Sequence, residues 1–523
     1  MSERFRNATR ALPVLMAVLL ALWALRGAGT NNVIDTDAAR HAMNGAFIRD
    51  LSSSGQLLDP IDYGKYYYGR LPALSMPFHP PLFPAIESLF FWALGVNVFA
   101  ARLAVAAAVT VFVLVLYRLI LSTHTLHAAA VCAIATFYFW WPAQLVASDV
   151  MLEFPALAFT VAALWWLRDL DREYPLRRGL IFAILAGAAV WVKQHAIFLG
   201  LVPFFYIAIS RRWRLLAGKT IWISSLLFGL QVIGFWLLTR AFNRTAANQV
   251  PPASEFAEIG LHNLRYYFDV LTQWAGPFGA AAIAAAFLLS LFDAWGERRI
   301  PGRALYPAWA AACLVVLMWI GPYNHRYLLF GLPAFVVIAY HALARVTTVL
   351  LPQRRAWLVP AVVTVVCTIP GLTMTRPFLH GPAEAAAAVL QQRPRRILYC
   401  GVMDGNFMFS VRSLDPKLDT VVISGDKLPE SVFAPEAFEK FAHRYGIEYV
   451  VIEEPHYFPP FEALAARPTP SMRLEREIPA NSYPPRWRGH LLKVYRFTNP
   501  SPQPDNKLLM NVNQLRSMLE FRL

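Results

Sequence analysis

The sequence predicts a polytopic α-helical membrane protein of about eleven transmembrane helices plus interfacial helices, ending in a soluble C-terminal α/β domain. Three observations predict it. Hydrophobic residues make up 57% of the 523 and charged ones only 15%, whereas a soluble globular chain carries about a quarter charged. The deficit falls in residues 1–375, where apolar runs long enough to cross a bilayer recur. Residues 376–523 revert to the composition of a soluble domain.

The first run, residues 11–28, follows Arg4, Arg6 and Arg10 and reads as a signal anchor with its N-terminus in the cytoplasm. Further spans read at 98–121, 126–142, 149–167, 179–193, 195–210, 220–239, 275–293, 304–321, 327–345 and 356–374. Alternate loops carry the basic residues: Arg168, Arg172, Arg177 and Arg178, then Arg211, Arg212, Arg214 and Lys219. Arg298, Arg299 and Arg303 follow, and then Arg354 and Arg355. The positive-inside rule puts these loops in the cytoplasm and the C-terminal domain outside, in a multi-pass cell-membrane protein (the inner membrane, in a Gram-negative source). The formal net charge of +15 is therefore a topological signal. No nucleic-acid reader motif accompanies it, and nucleic acid is excluded as a partner. Cys132, Cys313, Cys367 and Cys400 are spread over spans and domain with no disulfide or zinc spacing.

The first outer loop, residues 29–97, is long. Ala38 to Leu51 places Met43, Phe47, Ile48 and Leu51 on one helical face, and Pro81 to Gly95 is apolar but short, so both read as helices in the interface. Between them Tyr63, Tyr66, Tyr67 and Tyr68 read as part of an aromatic belt. A second long loop, residues 241–274, carries the semi-amphipathic run His262 to Leu271. In the C-terminal domain, strands are expected at 396–400, 420–423, 448–452 and 491–497, a helix at 435–445, and a loose Pro-rich tail at 499–505. The domain contains no GxGxxG turn, catalytic triad or metal spacing.

Ionisable groups in or beside spans cost about 2.5–3.5 kcal/mol at a helix centre on insertion scales, so each needs a reason. With the topology above, Asp35, Asp37, His79, Asp149, Glu153, Lys193, His195, His325 and Arg326 all reach the outer face from five separate segments. Asp35 and Asp37 suit a helix N-cap and equally a general base toward an incoming hydroxyl. Asp149 and Glu153, four apart at the start of a span, share a helix face; the plain alternative is two solvated acids favoured by the helix N-terminus. Lys193 is either a snorkelling lysine or a phosphate ligand. Arg326 is an interface anchor or a second phosphate contact, and His79 beside two prolines either orders a turn or joins them.

These residues resemble the protein O-mannosyltransferase and aminoarabinose-transferase family, membrane glycosyltransferases of the C-type fold. Asp37-Ala38-Ala39-Arg40 is similar to the family's D-E-A-R opening, without its second acid; Asp35 stands close by. His79-Pro80-Pro81-Leu82 is similar to its (K/H)-P-P-L element, and Ala100-Ala101-Arg102-Leu103 to the A-A-R-L turn that follows. Met151-Leu152-Glu153-Phe154-Pro155 resembles the second acidic site, with Glu for the commoner Asp. Lys193 matches the lysine of a T-K signature, and Arg326-Tyr327 through Pro333 matches R-Y-x-x-x-x-x-P.

The resemblance spans residues 10–375 and implies a polyprenyl-phosphate sugar donor. Its phosphate would lie near Lys193, Arg326 and His79, with Asp37 as general base in an inverting transfer. Arg40, His195, His325 and Asp35 would support the site. The acceptor would be a protein, lipid or glycan, and membrane lipids would surround the chain. A divalent cation is left open by the resemblance; Asp37 with Asp149 or Glu153 would hold it. Two other classes compete. A transporter or lipid flippase would gather charges near the bilayer midplane, and a membrane-anchored assembly or binding protein would act through its soluble domain.

Overall fold

The computed structural model describes residues 3–29, 32–138, 140–170, 174–242, 253–296, 304–320, 323–351, 358–373, 375, 377–455, 458–483, 486, 488–512, 515 and 517–523. Arg172, Arg298, Arg299, Arg303, Arg354 and Arg355, expected in cytoplasmic loops, lie outside these residues, as does the Cys367 side chain.

Helix α1 (Glu3–Ala24) leads to α2 (Thr36–Ser53), α3 (Pro60–Arg70) and α4 (Leu82–Leu94). The apolar series continues with α5 (Val98–Leu121), α6 (Leu126–Tyr138), α7 (Trp141–Ala147), α8 (Glu153–Leu167), α9 (Leu176–Val192) and α10 (Val202–Ser210). It ends with α11 (Lys219–Phe242), α12 (Phe256–Gly296), α13 (Leu305–Trp319), α14 (Leu332–Leu350) and α15 (Leu358–Thr373). Most expected spans fall on one of these helices; 126–142 runs over α6 and the start of α7, and 195–210 begins in a 3₁₀ turn ahead of α10. By length and composition α5, α11, α12 and α14 can each cross a membrane alone, and α6 with α7, bent by 80°, forms a fifth candidate among the described residues. The bend lies next to Trp141-Pro142, where a proline in the first turn starts a new helix. The run His262 to Leu271, expected in a loop, belongs to α12, which is kinked where Gly276 takes φ +71° ahead of Pro277.

Two expectations for the first outer loop are corrected. Helix α2 is buried on most sides, from Ala38 and His41 to Asn44, Asp50 and Leu51, because the C-terminal domain covers the face that an interfacial helix would leave exposed. Three of the four tyrosines do not form a lipid-facing belt: Tyr63, Tyr67 and Tyr68 are buried while Tyr66 is exposed, and Tyr68 packs on Phe521 with ring centroids 5.1 Å apart.

The C-terminal domain holds β1 (Phe378–His380), α16 (Pro382–Leu390), β2 (Arg396–Cys400), α17 (Asp404–Leu414), β3 (Val421–Ser424), α18 (Pro435–Arg444), β4 (Tyr449–Glu454) and α19 (Pro459–Ala466). Then come β5 (Met472–Tyr483), β6 (His490–Phe497), β7 (Lys507–Val512) and β8 (Ser517–Arg522). One sheet runs β1-β5-β6-β4-β2-β3. Strand β2 pairs in parallel with β3 and β4, and its five residues are all buried, as a strand covered on both faces requires. The tail 499–505 is not loose. Ser501 N–H and Asp505 N–H donate to the carbonyls of His443 and Arg444, and Arg396 Nη1 donates to Asp505 O at 2.6 Å. This anchoring precedes the hairpin β7–β8, whose pairing could not be read from the local pattern.

Candidate active site

The site is built around the start of α2. Asp35 is its N-cap: the carboxylate accepts from Asp37 N–H at 2.8 Å, satisfying one of the helix's orphan donors. Asp37 follows in the first turn. The chain ahead of the cap is fastened by Asp149, whose carboxylate accepts from Ile34 N–H at 3.2 Å, Asp35 N–H at 2.7 Å and Val150 N–H at 2.9 Å. Asp149 therefore shares no helix face with Glu153, contrary to expectation. Residues 148–150 form a turn and α8 begins only at Glu153, with Pro155 in the first turn, where its missing N–H costs nothing.

Glu153 is fully buried and Lys193 nearly so, and Lys193 Nζ donates to Glu153 Oε1. Lys193 stands where α9 stops and a 3₁₀ turn, Gln194–Gly200, starts. That break directs a side chain from the end of one apolar run inward instead of outward to a headgroup. A second 3₁₀ turn, His325–Phe330, is capped by Asn324, whose side chain accepts from Arg326 N–H at 3.1 Å. It delivers Arg326, whose Nη2 donates to Asp37 Oδ2 at 2.6 Å and whose Nε lies 3.4 Å from Glu153 Oε1. Two carboxylates and two cations from α2, α8, the α9 break and the turn before α14 thus form one closed network.

Burial is the strongest single influence on Asp37 and opposes its ionisation, but the Arg326 guanidinium, by its charge and its hydrogen bond, together with His41 and His79 outweighs it and holds the carboxyl well below its ordinary range. The neighbouring Asp35 is raised, by burial first and by Asp37 second. His79 sits edge-on to His41 with ring centroids 4.4 Å apart. Burial pushes His79 down to about 3 against the pull of Asp37, so it offers a neutral N–H, not a cation. His195 lies on Tyr327 at 3.8 Å between ring centroids. Both its ring nitrogens, together with Glu153 Oε2 and His41 Nδ1, are buried with no hydrogen-bond partner among the described residues. Such groups are rare in folded proteins and call for a partner such as water or ligand.

Beside this network lies a cavity of about 290 Å³ lined by Asp35, Asp149, Asn324, His325, Arg326 and, from the C-terminal domain, Ser482 and Arg486. Arg486 Nη1 approaches Asp35 Oδ2 at 3.8 Å. A second cavity, about 130 Å³ and apolar, is lined by Trp140, Leu271, Trp274, Leu328, Phe335 and Tyr340 among others. Trp140 links the two, packing on Trp274 at 5.0 Å and edge-on to His325 at 6.3 Å.

Arg40 is the expected site residue that points elsewhere: its guanidinium pairs with Asp404 of the C-terminal domain at 3.3 Å. Asn324, Ser482 and Arg486 were not foreseen. Asn324 follows the C-terminal end of an apolar run and reads as an ordinary cap, and the other two are brought in only by the domain's docking. The carboxylates considered for a cation are all engaged: Asp37 by Arg326, Asp149 by three backbone N–H groups and Glu153 by Lys193. Among the described residues no group of three His, Cys, Asp or Glu side chains is arranged to hold a metal ion. No step below runs through a metal.

The chain shares the fold of solved C-type membrane glycosyltransferases, and part of its length matches a family model. Residues 78–238 match the family model described as dolichyl-phosphate-mannose-protein mannosyltransferase. Among solved structures the chain is similar to ArnT from Cupriavidus metallidurans bound to undecaprenyl phosphate, at 17% identity and TM-score 0.58, over 94% of this chain and 99% of that one. It is also similar to the Archaeoglobus fulgidus oligosaccharyltransferase in complex with zinc and sulfate, at 12% identity and TM-score 0.51, over 84% of this chain and 67% of that one. No curated protein matches by sequence.

Proposed function

We propose that the chain transfers a sugar from a polyprenyl-phosphate donor to an acceptor hydroxyl at the outer face of the membrane, with inversion at the anomeric carbon. The observation that carries this reading is the network of Asp37, Arg326, Glu153 and Lys193 beside a cavity that opens toward the C-terminal domain. The basic loops put the N-terminus in the cytoplasm and that domain outside.

The prenyl chain occupies the apolar cavity between α6, α12 and α14, and the phosphate reaches Arg326 and Lys193 past Trp140 and His325. A phosphodiester brings one negative charge to a network in which two cations already face two carboxylates. It competes with Asp37 for Arg326, whose planar fork suits phosphate oxygens. Released from the guanidinium, Asp37 becomes a stronger base. The acceptor oxygen then attacks the anomeric carbon, its proton passes to Asp37, and the bond from that carbon to the phosphate oxygen breaks with its electron pair left on the phosphate. Lys193 and Arg326 stabilise the charge that grows there.

The charges gather at helix ends near the C-terminal domain, where the transporter and flippase reading would want them at mid-bundle. The test is purified protein offered a panel of radiolabelled polyprenyl-phosphate sugars, with the product followed out of the lipid donor. Label moving to an added acceptor from one donor is expected; no transfer from any member of the panel contradicts the reading.

A further inference from the structure

The loop that carries Asp37 is fastened on one side by the helical bundle, through Asp149, and on the other by the C-terminal domain. The second attachment has no explanation in the reaction above. Ahead of α2, Asn406 Nδ2 donates to Val33 O at 2.8 Å, and Asn32 Oδ1 accepts from Ala383 N–H at 3.0 Å. One turn beyond Asp37, Arg40 pairs with Asp404. Further along, Arg412 makes a two-pronged bond to Asp50, Nη2 to Oδ1 at 2.6 Å and Nε to Oδ2 at 2.7 Å.

Asn32, Asp50, Asp404, Asn406 and Arg412 are all 5% exposed or less. Asp404, Asn406 and Arg412 all belong to α17, whose N-terminal end holds Val33 and Arg40 on either side of the catalytic turn and whose C-terminal end holds Asp50 farther along α2. A buried bidentate pair has one good geometry, and although Arg49 also reaches Asp50 Oδ1 at 3.0 Å, only Arg412 ties that carboxylate to the C-terminal domain. These contacts consequently fix how far α2 can slide or rotate beneath the domain.

We propose that the C-terminal domain is a positioning element for the catalytic carboxylate, acting through Arg412, Asn406 and Asp404, none of which touches substrate. The proposal rests on Asp37 being the base of the transfer. Rate is sensitive to such placement: an error near 1 Å at the reacting atoms costs on the order of 10²-fold. Donor affinity should be indifferent to it, because the lipid phosphate and prenyl chain are held by the bundle.

The experiment uses full-length protein carrying Asn406→Leu, Arg412→Lys or Arg412→Ala. Arg412→Lys keeps the charge and loses the fork; Arg412→Ala is the severe form. Hydrogen exchange over residues 33–41 reports the brace without any turnover, with β2 and β4 as internal controls for the fold. Faster exchange over 33–41 is expected in Asn406→Leu and Arg412→Lys, with the strands unchanged. In these two variants kcat should fall about tenfold or more, while binding of polyprenyl phosphate stays within about twofold of wild type. Arg412→Lys should retain more activity than Arg412→Ala. Wild-type exchange over 33–41 would overturn the proposal, as would wild-type kcat in a variant whose protection there is lost. A loss of donor binding equal to the loss of kcat would also overturn it, since that marks general unfolding. If wild-type protein transfers from no donor, the proposed reaction fails, and the exchange arm still decides whether the brace exists.

Discussion

Asp37 and Asp35 are two residues apart and have opposite electrostatics. Asp37 is depressed, because Arg326 with His41 and His79 together outweigh burial, so its ionised form contributes stability above the unfolded value of 3.8 that is lost only as pH falls through the lower folded value. Asp35 is raised by burial, so its contribution has the other sign, present at low pH and lost as pH rises through the folded value. It follows that kcat/KM, which reports the free enzyme, shows no acid limb from Asp37 between pH 5 and pH 8; a pH–rate profile checks this. Asp35→Asn keeps an oxygen for the cap, so stability changes by less than about 1 kcal/mol and turnover is largely retained. Asp37→Asn removes the base and lowers kcat by about 10²–10⁴-fold. The pair of variants, measured together, separates cap from base. Asp37, Lys193 and Arg326 were legible because charges stand out in an apolar chain. The use of Asp149 as a fastener for residues 34 and 35 was not, because accepting backbone N–H groups leaves no sequence pattern.

Among the elements, the decisive ones are the breaks. Lys193 and Arg326 point inward because α9 and the run before α14 give way to 3₁₀ turns, and hydropathy reads such turns as continuous span. The spans themselves were legible for the same reason, since twenty apolar residues signal their length whatever the local hydrogen bonding. Breaking the buried Lys193–Glu153 pair from one side, as in Lys193→Met, leaves the carboxylate with only the longer contact to Arg326 Nε at 3.4 Å and should cost up to about 3–5 kcal/mol. The double variant Lys193→Met/Glu153→Gln should recover much of that in a thermal-unfolding assay while remaining unable to use the donor. Helix α2 also depends on its glycine: a Cβ at Gly45 would lie 2.3 Å from Glu87 Oε2 on α4. Gly45→Ala should therefore cost about 1–3 kcal/mol, and Gly45→Ala/Glu87→Ala less, as the same unfolding measurement would show.

At the scale of the whole molecule, the division into an apolar bundle and an α/β domain was visible in composition, but their docking was not. Tyr68 meeting Phe521, Arg412 meeting Asp50 and Arg486 entering the cavity beside Asp35 join residues hundreds of positions apart, and no local periodicity encodes such contacts. The docking also explains why α2 and Tyr63, Tyr67 and Tyr68 are buried where a lipid interface was expected. The account stands on Asp37 and the two cations acting as one transfer site, and the most direct test measures donor binding and turnover on the same Asp37→Asn protein. Polyprenyl-phosphate binding at wild-type strength or tighter, with sugar transfer lost, is the predicted result; transfer at the wild-type rate would contradict it.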